Sequence, residues 1–301
     1  PEAAKAARAR VLARATAAGV ITADQAATAN ATPLPSAYRT FPFRSPHLAE
    51  ELVATPGSGD TISTTIDAAR QWQLEQRLQA ARADLPAPTT TAAIIVDART
   101  AEVRAIAGGP DYFDRSRAGM IDMTTAVRSP GSALKPFIYG LAFDRLLARP
   151  ETLIADRPFR DAGYAPTNFS EGYAGDVTVT DALVRSLNIP AVKVLRRLGA
   201  ARFDAALSTA GVTLEFDRDG GDPGLALALG GVGVDLRTLA RAYIALLHEG
   251  AMPDRLAFRP GEPVRWRPFI DAEAARDVRR ILEMAPPPIG QSAHSGTIAY
   301  K

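Results

Sequence analysis

Apolar positions recur at helical spacing over residues 2–18, where Ala and Leu are interleaved with Arg, and the pattern stops at Gly19, a residue suited to closing a helix. Thr22 and Gln25 then form a capping box behind Val20 and Ile21 and predict a second short helix. From Pro33 to about Gly59 the chain is rich in Pro, Ser and Gly, with Phe41, Phe43 and His47 interspersed, and reads as an irregular connector. A brief alternation follows, Thr61, Ser63 and Thr65 against Ile62 and Ile66, before the pattern turns helical through Gln71, Trp72, Gln73 and Leu74. Residues 92–97 and 102–107, joined by a polar turn at 98–101, have the composition of a β-hairpin that ends at Gly108-Gly109-Pro110. Beyond Ser132 the period is mostly helical, as in Phe137, Ile138 and Leu141 and later in Leu239, Tyr243 and Leu246, with Pro- and Gly-rich loops between. Residues 296–301 are short and apolar and read as the start of a strand. The simplest architecture with this order is α+β, an antiparallel sheet carrying a large helical insertion.

Composition narrows the functions open to such a fold. The chain of 301 residues is 47% hydrophobic and 23% charged, enough for a sizeable core and for one large domain with a smaller attached piece. A net charge of +2, with Lys and Arg scattered among Asp and Glu, gives no basic tract and no reason to expect a nucleic-acid partner. Cysteine is absent, and the three histidines, His47, His248 and His294, lie far apart, so no metal and no cofactor is expected. No run approaches the ~20 apolar residues that span a bilayer. The start inside a helical pattern, without Met, and the end at Lys301 are read as marks of a piece cut from a longer protein, with any membrane anchor upstream.

The candidate chemistry begins at Ser132-Ala-Leu-Lys135. Pro130-Gly131 before an apolar helical run places Ser132 at or near the first turn, and two residues three apart on a helix bring their Cβ atoms within about 5–6 Å. A serine hydroxyl is a poor nucleophile by itself. A desolvated lysine can be neutral near pH 7 and accept its proton, while the helix N-terminus favours the developing negative charge. Alone, such a pair also reads as a capping Ser beside a solvated Lys. A second element, Ser186-Leu-Asn188 ahead of Ile189-Pro190, supplies a hydroxyl able to relay a proton and a carboxamide able to hold a substrate carbonyl, although Ser and Asn before Pro are also ordinary turn residues.

Together these elements resemble class A penicillin-binding proteins. Arg128-Ser-Pro-Gly-Ser-Ala-Leu-Lys-Pro136 is similar to that family's nucleophile motif, and Tyr173-Ala-Gly-Asp-Val-Thr178 leading to Arg185-Ser-Leu-Asn-Ile-Pro-Ala-Val192 to its second motif. The hairpin, Leu229-Gly-Gly231 and Ala240-Arg-Ala-Tyr243 resemble further stretches, so that the likeness covers residues 61–301. Asp111-Tyr-Phe-Asp114 and Pro286-Pro-Pro288 point to the penicillin-binding protein 1C branch. The third family motif, K-T-G, departs from the pattern. Lys301 is read as its lysine, with the remaining strands cut away, and His294-Ser-Gly-Thr297 is the rival position.

The resemblance implies a fold like that of serine β-lactamases and D,D-transpeptidases. Residues 1–60 are expected to be the helical tail of a glycosyltransferase with its connector, and residues 61–301 a transpeptidase domain. It implies a D,D-transpeptidase that cross-links peptidoglycan stem peptides through an acyl-serine and is trapped by β-lactams, in a membrane-anchored synthase on the periplasmic face of the inner membrane. Ser132 is the expected nucleophile, Lys135 its base, Ser186 the proton relay, and Asn188 and Lys301 the groups that bind substrate. A D,D-carboxypeptidase, a serine β-lactamase-like hydrolase and a non-catalytic penicillin-binding fragment stay open as alternatives.

Overall fold

In the computed structural model the described residues are 2–34, 42–55, 61–161, 163–169, 172–216, 224–287 and 298–301. Two compact units are present, residues 1–43 and residues 44–301. The first is a helical hairpin of α1 (Glu2–Ala17) and α2 (Ala23–Ala31). Gly19 takes φ +70° at the end of α1, and Thr22 and Gln25 form the expected capping box at the start of α2. Arg8 ties the two helices by donating to the carbonyls of Asn30 and Thr32, each at 2.6 Å.

The second unit opens with a helix where an irregular connector was expected, α3 (Pro46–Ala54). Proline stands at its first position, where a missing N–H costs nothing, and His47 and Leu48 are buried. Asp67 caps α4 (Ala68–Ala83) through the amides of Ala69 and Arg70. The predicted hairpin is present as β1 (Ala93–Val96) and β2 (Val103–Ala107), antiparallel with Ala93 opposite Ala107 and a bulge at Ile95/Val96. Gln71 of α4 fastens to it, its amide oxygen accepting from the Ile106 N–H and its NH2 donating to the Ile106 carbonyl.

The helical insertion carries the main core. It starts with α5 (Lys135–Asp144), in which every residue from Lys135 to Phe143 is buried, so this helix is central and apolar on all sides. A ribbon of β3 (Leu153–Asp156) and β4 (Gly175–Thr178) leads into α6 (Val179–Val184), α7 (Asn188–Leu198) and α8 (Ala200–Ala210). Then come α9 (Leu236–Ala245), a ribbon of β5 (Ala251–Pro253) and β6 (Trp266–Pro268), and α10 (Ala272–Glu283). Phe137, Ile138 and Leu141 of α5 pack with Val192 and Leu195 of α7 and Val278 and Ile281 of α10. Gly140 leaves room for α10 and the segment before it, since a Cβ there would lie 3.2 Å from Ile270 and 3.5 Å from Val278 of α10.

The α+β class expected from the sequence is present, with the strands among the described residues divided among three antiparallel ribbons. The strand expected over 296–301 is not formed within the described residues. Residues 298–301 join no ladder there and are tied by one backbone bond, Tyr300 N–H to the Leu282 carbonyl at 3.1 Å. No described helix is long and apolar enough to cross a membrane.

Candidate active site

Ser132 lies in a short 3-10 turn, Gly131–Leu134, that runs directly into α5, whose first residue is Lys135. Gly131 takes φ +53°, a left-handed bend that turns the chain into this helix start. Several bonds from distant parts of the chain hold the turn. Ser129 Oγ donates to the Gly230 carbonyl at 2.6 Å, the Tyr243 hydroxyl donates to the Ala133 carbonyl at 2.9 Å, and Arg128 bridges Val234 backbone to backbone. Gly230, at φ +85°, lies so close that a Cβ would overlap the Gly131 nitrogen and Ser129 Oγ.

Lys135 is fully buried and its amine is not turned to solvent. It donates to the Asn188 Oδ1 at 2.6 Å and to the Ser186 carbonyl at 2.7 Å, and lies 3.4 Å from Ser186 Oγ. Burial, helped by the positive charge of Lys301, brings its pKa down to about 7. Lys301 donates to the Leu183 carbonyl at 3.3 Å, and burial of its amine lowers its pKa to about 8. The fold therefore gathers Lys135, Ser186, Asn188 and Lys301 around the helix start that carries Ser132. Among the described residues the Ser132 hydroxyl has no hydrogen-bond partner, and the lysine expected to reach it is engaged by the second motif. His294-Ser-Gly-Thr297, the rival third motif, lies outside the described residues.

The second motif owes its shape to the junction of two helices. At the end of α6 the Leu187 N–H bonds the Ala182 carbonyl at 2.9 Å and the Ser186 N–H bonds the Leu183 carbonyl at 3.1 Å, the pattern of a left-handed helix ending. Glycine usually occupies that position, but here Ser186 takes φ 55°, a strained choice costing about 1–2 kcal/mol that fits a side chain needed in place. Asn188 starts α7. Its Nδ2 donates to the Thr167 carbonyl at 2.7 Å, which leaves Oδ1 directed at Lys135. Asn168, which accepts the Asn188 N–H at 2.8 Å, is singled out by no sequence motif, and Tyr243, though it lies in a stretch the family likeness marks, is given no role at the site by the sequence. A polar residue at 168, ahead of a Gly-containing loop, carries no periodic signal.

Residues 91–253 match the family described as penicillin binding protein transpeptidase domain. The chain belongs to that family. It is 40% identical over 293 residues, 97% of its length, to penicillin-binding protein 1C of Escherichia coli, and spans 38% of that relative. It is 36% identical over 154 residues to penicillin-binding protein 1F of Bacillus subtilis, covering 50% of this chain and 20% of the relative. Among solved structures it resembles the transpeptidase domain of Burkholderia pseudomallei penicillin-binding protein 3, with a TM-score of 0.61, 26% identity, and coverage of 75% and 71% of the two chains. It also has the fold of the PonA1 protein of Mycobacterium tuberculosis, solved with penicillin V, at TM-score 0.65 and 22% identity over 80% of this chain and 71% of that one. The class A resemblance read from the motifs agrees with the 1C relative.

Proposed function

We propose that this chain carries the D,D-transpeptidase activity of a peptidoglycan synthase and acts through an acyl-Ser132 intermediate. The observation that carries the reading is the buried Lys135 amine, held by Ser186 and Asn188 one helical turn from Ser132 and poised at a pKa of about 7. A lysine in this state is neutral in a large fraction of molecules at physiological pH and can serve as a base.

In the first half-reaction Ser132 Oγ bonds to the carbonyl carbon between the two terminal D-alanines of a stem peptide, and its proton passes to Lys135 Nζ. The backbone N–H of Ser132 faces the negative charge that builds on the carbonyl oxygen. As the tetrahedral intermediate collapses, the C–N bond breaks, and the proton travels from Lys135 through the Ser186 hydroxyl to the departing D-alanine amine. Asn188 and Lys301 hold the peptide, the lysine as a cation suited to its terminal carboxylate. In the second half an amine of a neighbouring stem attacks the ester, the site takes up the amine's proton, and Ser132 leaves with its hydroxyl restored. A β-lactam enters the first half alone, because its acyl product keeps the leaving group tethered.

The similarity to Escherichia coli penicillin-binding protein 1C supports a reading of the whole-protein setting. We place the protein at the periplasmic face of the inner membrane, with residues 1–60 as glycosyltransferase tail and connector and residues 61–301 as transpeptidase. Incubation of the full-length protein with a pentapeptide donor and an amine-bearing stem acceptor tests the reading. Cross-linked dimer is expected. Tetrapeptide and free D-alanine without dimer would make it a carboxypeptidase.

A further inference from the structure

We propose that Asp156 is a positioning residue for this site, acting through Asn168 on Asn188 and thereby on Lys135. The inference rests on the acyl-transfer reading above. It starts from an oddity of burial. Asp156, the last residue of β3, is fully buried, and among the described residues no Lys or Arg forms a direct ion pair with it: Lys193, whose ammonium feels its charge, donates to the neighbouring Ala155 carbonyl instead. A carboxylate in such a place is costly unless its oxygens are well bonded. Here the bonds come from neutral donors: Asn168 Nδ2 lies 2.9 and 3.0 Å from the two oxygens, and the Ala174 N–H is 2.7 Å from one of them.

The consequence lies on the other side of the Asn168 amide. A carboxylate accepts and cannot donate, so together with the Gly172 carbonyl, which accepts from the same Nδ2 at 2.9 Å, it compels Asn168 to present its NH2 inward and its oxygen outward. That oxygen accepts the Asn188 N–H at 2.8 Å and lies 3.4 Å from the Ile189 nitrogen. These are the first free amides of α7, and the preceding Leu187 has no side chain able to cap them. Asn168 thus caps α7 from a separate loop. The neighbouring Thr167 carbonyl takes the Asn188 Nδ2, so one short stretch fixes both the backbone and the carboxamide of Asn188. With its NH2 occupied, Asn188 can offer Lys135 only its oxygen, at 2.6 Å. A chain of single-direction hydrogen bonds runs from the buried carboxylate to the base.

Asp156→Asn keeps the size but leaves one oxygen for the two donors that face it, the Asn168 Nδ2 and the Ala174 N–H, so the hold on the Asn168 amide weakens. The rate of acylation by a fluorescent penicillin, measured on the full-length protein, is expected to fall about 10- to 100-fold, the effect of a misplaced reacting group. In an Asn188→Ala background Asp156→Asn should cost little more, because the residue it acts through is gone. An unchanged rate in Asp156→Asn, or an equal loss in both backgrounds, would overturn the inference. Should Asp156→Asn fold poorly, Asn168→Ala carries the same pair of measurements with the same expected and contrary results. If the unaltered protein takes no label at Ser132, the acyl-transfer reading itself fails; label on the unaltered protein with no effect of these variants refutes the positioning role alone.

Discussion

Lys135 and Lys301 make the acid-base behaviour of the site a matter of two amines. Below about pH 7 Lys135 is an ammonium and cannot take the Ser132 proton, so acylation should rise as pH increases through about 7. Above about 8 Lys301 loses the charge suited to a substrate carboxylate, so binding should weaken there. Lys301→Gln removes the positive charge that helps depress Lys135, whose pKa must then rise, and the acid limb of acylation should move to higher pH. A pH profile of penicillin acylation in the two proteins checks the sign. An unmoved limb would mean that burial alone sets Lys135. The Ser132 and Lys135 pair was legible because both lie in one local helical register. Its partners were half legible: the types Ser186 and Asn188 stand out, but the left-handed backbone at Ser186 shows only in three dimensions, since glycine normally signals it.

At the level of elements, the nucleophile turn is held by segments far along the chain. Gly230, at φ +85°, packs against the backbone of Gly131 with no room for a methyl group. Gly230→Ala is expected to destabilise the protein by about 1–3 kcal/mol and to slow acylation, because the overlap falls on backbone that cannot swing aside. Thermal denaturation and acylation rates measured together test this, and a variant equal to the parent in both would show that the turn tolerates displacement. The family likeness marks Leu229-Gly-Gly231 as a stretch of interest, but only the fold reveals what it touches. Helix α3 was hidden for another reason: Pro46 reads as a breaker, yet at a helix's first position it is compatible, and the buried faces of His47 and Leu48 belong to contacts with distant residues. Asp156 and Asn168 left no mark in the sequence because an isolated polar residue, at a strand end or between elements, has no period to announce it.

Across the whole molecule, the hairpin and the helical insertion were readable from periodicity, since long amphipathic or wholly apolar runs dictate their own burial. Division of the strands among three ribbons was not, because ladder partners are set by tertiary contacts. The most completely buried of the described helices, α5, begins at the reactive turn, so the core itself orients Ser132 and Lys135. That orientation leads to covalent chemistry at one residue. Full-length protein treated with penicillin, digested and analysed by mass spectrometry should carry one adduct, on the peptide containing Ser132, and none after Ser132→Ala. An adduct on another residue, or one that survives Ser132→Ala, would contradict it.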